Sequence, residues 1–167
     1  ANEVQGVIAH ELAHVANGHI PLQDQGMKGV MGVSILSLVL GVAAIAAGGG
    51  EAGAGILAAG QRAALGKMLA FTRVQEASAD AGGARYLNTA GITGKGMLSF
   101  FNKLLNQQYR YTVGTPGPDP YMQSHPLSGT RIQTLAADVQ KAKDYNKPED
   151  PALNERMKRI QAKLFGY

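Results

Sequence analysis

Cysteine is absent from the 167 residues, which removes disulfides as a source of stability and thiolates as metal ligands. Any metal this chain holds must be bound by His, Asp or Glu, so the search narrows to 4 histidines and 12 acids. Tryptophan is also absent. The basic residues concentrate between Lys141 and Lys163 with acids interleaved, so the formal charge of +4 reads as a solvated helical surface. Nucleic-acid binders carry a denser basic stripe with stacking aromatics, and no nucleic-acid partner is expected. No secretory signal opens the chain, which starts Ala-Asn-Glu without a methionine, as a processed protein or an excised domain would. No strand pattern and no internal repeat is found, leaving a mainly α chain whose length suits one domain over residues 1–167.

What is present is a series of helical segments. Asn2 to Asn17 carries Val4, Val7, Ile8, Leu12 and Val15 at helical spacing, with Asn2 and Gln5 placed as a capping-box variant and Gly18 as the C-terminal stop. Arg73 to Leu87 reads as a helix ending in a Gly-rich turn. Lys95 to Gln108 follows as a core helix, with Met97, Leu98, Phe100, Phe101, Leu104 and Leu105 on one face. Pro116, Pro118 and Pro120 make Val113 to Tyr121 an extended loop. Two further helices are predicted at Gly129 to Tyr145 and Pro151 to Phe165, the last with Leu153, Met157, Ile160 and Leu164 as its apolar stripe.

Gly29 to Gly50 contains no charged residue and is long enough on paper to span a bilayer, whereas the apolar stretch from Ala52 to Gly60 is too short to return through one. Residues 27–60 are therefore expected to form an apolar helical hairpin. Its frequent glycines and lack of anchoring aromatics favour packing on the protein, or contact with a membrane surface through residues 29–60, over full insertion.

His10-Glu11-Leu12-Ala13-His14 is an H-E-x-x-H pattern on a segment that is independently helical. A spacing of four places both imidazoles on one face, where they can meet a single metal ion, by default zinc and one per chain. Glu11 stands beside that face, near enough to take a proton from water without ligating the metal. Val15 and Ile8 argue that the helix is buried, which makes unpartnered histidines and glutamate costly. For a third ligand the longer pattern with a further histidine fails, because positions 17 and 20 hold Asn17 and Ile20. His19, one residue off, reads as a polar residue at the helix exit. Glu76 and Asp80 share a helical face: one carboxylate can complete the site while the other accepts the free ring N–H of a ligating histidine. Small residues at 77, 78, 79, 81, 82 and 83 would let that helix press against the first.

His10-Glu11-Leu12-Ala13-His14, Glu76-Ala77-Ser78-Ala79-Asp80 and Ser124-His125-Pro126-Leu127-Ser128-Gly129-Thr130-Arg131-Ile132 stand in this order. Together they resemble peptidase family M48, most closely its bacterial envelope branch, over nearly the whole chain. The resemblance implies a zincin-type core with a helix-borne H-E-x-x-H and a second helix carrying a Glu ligand. It implies His10, His14 and Glu76 as zinc ligands, Glu11 as general base and Asp80 as the acid behind a ligand. A polypeptide substrate, unfolded or misfolded, and a periplasmic or membrane-associated place in the envelope follow from it too. In similar envelope proteases a histidine placed like His125 acts as a switch, taking the fourth metal position and holding the enzyme inactive. His125 can otherwise donate to the oxyanion of a tetrahedral intermediate, a role Arg131 could also fill, or simply anchor its loop. Zincins bind substrate as an added strand, and the chain begins only nine residues before His10, so that edge strand is expected upstream of it. The rival readings are a chaperone-like module with a structural zinc site, against which Glu11 speaks, and an integral-membrane protease.

Overall fold

A computed structural model describes residues 1–111 and 125–166. The described residues form helices and turns, with no strand among them. The helices are α1 (Asn2–Ala16), α2 (His19–Ala46), α3 (Gly50–Thr89), α4 (Lys95–Tyr111), α5 (Gly129–Gln140) and α6 (Pro151–Phe165). The chain divides into two compact units, Ala1–Asn17 with Glu76–Tyr167, and Gly18–Gln75. The proline loop expected at 113–121 lies outside the described residues.

In the first unit α1 packs on α4, and α4 on α5. The core is built from Met97, Phe101 and Leu104 of α4 with Leu127, Ile132, Leu135 and Val139, so the apolar stripe predicted for α4 is the one that is buried. Glycine governs the α1–α4 approach. A Cβ at Gly6 would lie 2.6 Å from the Met97 Cα, and one at Gly96 would strike Asn2 Oδ1 at 1.9 Å. Only helices without side chains at these positions can come so near.

The orientation of α1 reverses one expectation. Its buried residues are Asn2, Gly6, Ala9, His10 and Ala13, whereas Val4, Ile8, Leu12 and Val15 face outward and are exposed. Hydrophobicity pointed to the wrong face because the approach of α4 and of the Gly82–Gly83 segment of α3 leaves room only for small residues at Gly6 and Ala13, and the bulky stripe is left on the opposite side. The capping box is also not formed: Ala1 is the N-cap, without a side-chain hydrogen bond, and Asn2 is buried one position further on. Gly18, at φ 66°, does end the helix. Gly91, at φ 67°, provides the turn expected between α3 and α4. Helix α5 stops five residues before the predicted Tyr145, whose carbonyl accepts a 2.8 Å hydrogen bond from Thr93 Oγ1. Helix α6 has the predicted bounds and an Asp150 cap, but its stripe reaches no core and none of its residues is fully buried.

The second unit is a hairpin of α2 with the first half of α3, longer than the predicted 27–60. Among the described residues α2 is the one helix long and apolar enough to cross a membrane, and 6% of its most apolar stretch is buried.

The contact geometry separates two glycine-to-alanine changes. Gly6→Ala gains helix propensity of about 1 kcal/mol but meets backbone that cannot swing aside, so a net destabilisation of about 1–2 kcal/mol is expected from overpacking. Gly66→Ala, with open space around it, is expected to stabilise by up to about 1 kcal/mol. Thermal unfolding of the two variants would show opposite shifts; a rise in Tm for Gly6→Ala would contradict the tight α1–α4 contact.

Candidate metal centre

Helix α1 delivers two imidazoles to one place because their spacing of four is one turn. His10 Nε2 and His14 Nε2 are 3.1 Å apart. His10 is wholly buried, held edge-on against Phe101 with ring centroids 5.4 Å apart. Helix α3 reaches this face through its small residues. A Cβ on Gly83 would lie 3.1 Å from the His10 backbone nitrogen, and one on Gly82 2.8 Å from the Ala13 Cβ. That approach brings Glu76 Oε1 to 3.3 Å from His14 Nε2 and Glu76 Oε2 to 3.5 Å from His10 Nε2.

The third contribution comes from the segment before α5. His125 Nδ1 stands 2.9 Å from Glu76 Oε1 and 3.5 Å from His10 Nε2. Four donor groups, His10, His14, Glu76 and His125, thus place one ligand atom each within 4.8 Å of all the others. Four ligands tetrahedrally arranged about 2.0–2.1 Å from a small cation sit about 3.3–3.4 Å apart. The separations of 2.9–3.5 Å between His10, His14, Glu76 and His125 given above lie near that value, so these residues are of the right kind and closeness to hold a small metal ion. Glu11, beside His10 on α1, has its carboxylate 3.6 Å from His125 Nε2. His19 is not among the converging donors; it is the first residue of α2, buried, with its carbonyl accepting from Gln75 Nε2 at 3.2 Å.

Asp80, one turn after Glu76, faces the far side of the same imidazole: its Oδ1 is 3.0 Å from His10 Nδ1. The two acids that the sequence left interchangeable are therefore distinct in position, Glu76 among the donors and Asp80 behind one of them. Arg131 lies in the first turn of α5, where Ser128 caps the helix by accepting from the Arg131 N–H at 3.2 Å. Its guanidinium donates to both Asp80 oxygens, at 2.5 and 2.9 Å, to the Pro126 carbonyl at 3.0 Å, and contacts Glu76 Oε2 at 2.8 Å. It also sits 5.3 Å from the Phe101 ring centroid. Sequence reasoning placed Phe101 in the core but missed its position beside the site, since nothing local distinguishes it from Phe100.

The charges are strongly coupled. Burial works against a proton on His10, but the carboxylates of Asp80 and Glu76 prevail and raise its pKa above the ordinary 6.5. Burial likewise works to raise Glu76, yet hydrogen bonds from His10, His125 and His14 and the charge of Arg131 hold it far below 4.5. For the metal-free chain the Glu76 shift contributes stability that is present above pH 4.5 and lost below it. The His10 shift contributes stability that is present below pH 6.5 and lost as the pH climbs through the raised value.

These imidazoles and the Glu76 carboxylate form a group that could hold a metal ion, and comparison with known proteins gives the class of the chain, a metalloprotease. The chain belongs to peptidase family M48, whose profile matches residues 1–139. It is 38% identical over 138 residues to metalloprotease LoiP of Escherichia coli, covering 80% of this chain and 48% of that protein. It is 32% identical over 135 residues to a candidate beta-barrel assembly-enhancing protease of Vibrio cholerae, covering 78% of this chain and 26% of that one. The beta-barrel assembly-enhancing protease of E. coli is 30% identical over 134 residues, with the same coverage. The chain thus spans between about a quarter and a half of the length of these relatives. No solved structure gives a significant match.

Thermal unfolding of chelator-treated protein is expected to give its highest Tm between pH 4.5 and 6.5, falling on both sides. A flat profile would mean that the two shifts are absent.

Proposed function

We propose that this chain is the catalytic part of a zinc-dependent endopeptidase acting on unfolded or misfolded polypeptides in the bacterial cell envelope. The observation that carries this reading is the convergence of His10, His14 and Glu76, two helices apart in sequence, beside the carboxylate of Glu11. In this reading His10, His14 and Glu76 would hold one zinc ion, which would supply a Lewis acid for the scissile carbonyl and the attacking water. Glu11 takes a proton from a water molecule as its oxygen bonds to the carbonyl carbon, and passes it to the amide nitrogen as the C–N bond breaks. Asp80 accepts from His10 Nδ1 and fixes the tautomer that leaves Nε2 free to ligate. Arg131 acts through Asp80 and Glu76 as a positioning residue, because its guanidinium is directed at those carboxylates and at the Pro126 carbonyl.

His125 supplies the fourth donor. Four protein ligands are the arrangement of a closed site, whereas catalytic zinc keeps one position open. We therefore read His125 as an inhibitory ligand whose withdrawal admits substrate. The same closure would suit a chaperone-like module with a structural metal, but such a site has no use for Glu11. The envelope location, periplasmic or membrane-associated, and the choice of misfolded protein rest on the resemblance to the envelope branch of family M48; two of the relatives are named for beta-barrel assembly. Membrane contact through residues 29–60 belongs to the same reading, supported by the exposed apolar surface of α2.

Three variants test these roles. Glu11→Gln is expected to lose cleavage of an unfolded protein by at least about 10²–10⁴-fold while still binding zinc; retained cleavage would remove Glu11 from the mechanism. His125→Ala is expected to cleave faster than the parent chain, whereas an oxyanion donor at this position would make it slower. Arg131→Met is expected to weaken zinc binding by about 10–100-fold, the usual effect of removing support for a metal ligand, in a competition titration against a chelator.

A further inference from the structure

The hairpin of α2 and the first half of α3 is built inside out. Where the two helices meet, glycines let them approach: a Cβ on Gly41 would lie 2.6 Å from Leu57 Cγ, one on Gly53 2.6 Å from the Gly41 carbonyl oxygen, and one on Gly60 would strike Ser37. Leu57 packs into this seam, but many of the large side chains point away from it, with Ile35, Leu38 and Val42 57%, 55% and 53% exposed. In water such a surface forgoes the hydrophobic stabilisation of every large side chain left unburied. In hydrocarbon it is the ordinary arrangement, since small residues let helices approach while lipid solvates the bulky ones.

The charges mark where that hydrocarbon would end. Lys28 precedes the uncharged stretch Gly29–Gly50, and Glu51 follows it. The helical part of the stretch, Gly29 to Ala46, is roughly 27 Å long at about 1.5 Å per residue, close to the roughly 30 Å of a bilayer core. On the returning helix Lys67 lies level with the start of the stretch, because a Cβ on Gly29 would be 2.9 Å from both its Cε and Nζ. Arg62 is five residues nearer the turn, roughly 7–8 Å along the axis, a depth its long side chain can climb to reach polar surroundings. Among the described residues none of Lys28, Arg62 and Lys67 forms an ion pair. The acid nearest in sequence, Asp24, lies one turn before Lys28, on the polar side of the same boundary.

We infer that this hairpin is a recognition surface for anionic phospholipid, its apolar face entering the bilayer and Lys28 and Lys67, joined by the upward-reaching Arg62, forming a cationic collar at the phosphate level. The inference rests on the membrane contact proposed above and adds to it a depth and a lipid charge. A second copy of the chain could also cover the apolar face, but apolar pairing of copies gives no role to the cations Lys28, Arg62 and Lys67, whereas anionic headgroups neutralise them.

The test is flotation of the whole chain with vesicles of phosphatidylcholine alone and of phosphatidylcholine mixed with phosphatidylglycerol. Binding to the mixed vesicles is expected to be on the order of tenfold tighter. Lys28→Gln/Arg62→Gln/Lys67→Gln should remove that preference, leaving binding to phosphatidylcholine unchanged, while Leu38→Asp should abolish binding to both. Equal binding to the two vesicles, or a preference that survives the triple substitution, would overturn the collar and leave the membrane contact standing. No binding to either vesicle would overturn the membrane contact itself; if light scattering then gave a defined oligomer that Leu38→Asp dissociates, a second copy would be what covers the face.

Discussion

The centre depends on how two buried carboxylates are neutralised. Glu76 and Asp80 are almost wholly buried, and an isolated buried carboxylate is held only at a cost of several kcal/mol. One guanidinium, Arg131, spans both of them. A single positive charge against two negative ones leaves the pocket short of a cation, and the raised pKa of His10 expresses that shortage as a tendency to hold a proton. A divalent ion meets the same need and competes for the same imidazole nitrogen, so proton and metal are alternative occupants of one electrostatic well. The four donors converge at the place where that charge is wanted.

Such a well requires helices closer than ordinary side chains permit. Gly6, Gly82, Gly83 and Gly96 each stand where an added Cβ would meet backbone or a short side chain within about 3 Å. Close approach lets α3 present Glu76 and Asp80 to opposite nitrogens of the same ring, at 3.5 Å from Nε2 and 3.0 Å from Nδ1. It also explains why α1 turns its bulky residues outward: the face that carries the chemistry is the face that must be thin. The hairpin follows the same economy of side chains with its large residues left outside, which suits a surface whose solvent is not water alone.

The sequence by itself determined what depends on helical periodicity. The shared face of His10 and His14 with Glu11 beside it, the shared face of Glu76 and Asp80 and the buried stripe of α4 follow from a repeat of 3.6 residues, the bounds of α6 follow from its cap and proline, and each could be read from a few neighbours. The motifs in their order also pointed to family M48, to which the chain belongs. Tertiary structure alone decided which of two bulk-compatible faces of α1 is buried, because Ile8 and Val15 register hydrophobicity but not the width of the gap beside them. Helical spacing left Glu76 and Asp80 alike, and the packing of α3 against α1 sets their distances to His10; their separate roles were what the family resemblance implied. Tertiary structure also brought His125 and Arg131, from a segment more than a hundred residues away from His10 in the chain, onto the same carboxylates. Local spacing carries no information about such long-range meetings, which are settled only when charge neutralisation and close packing are satisfied together.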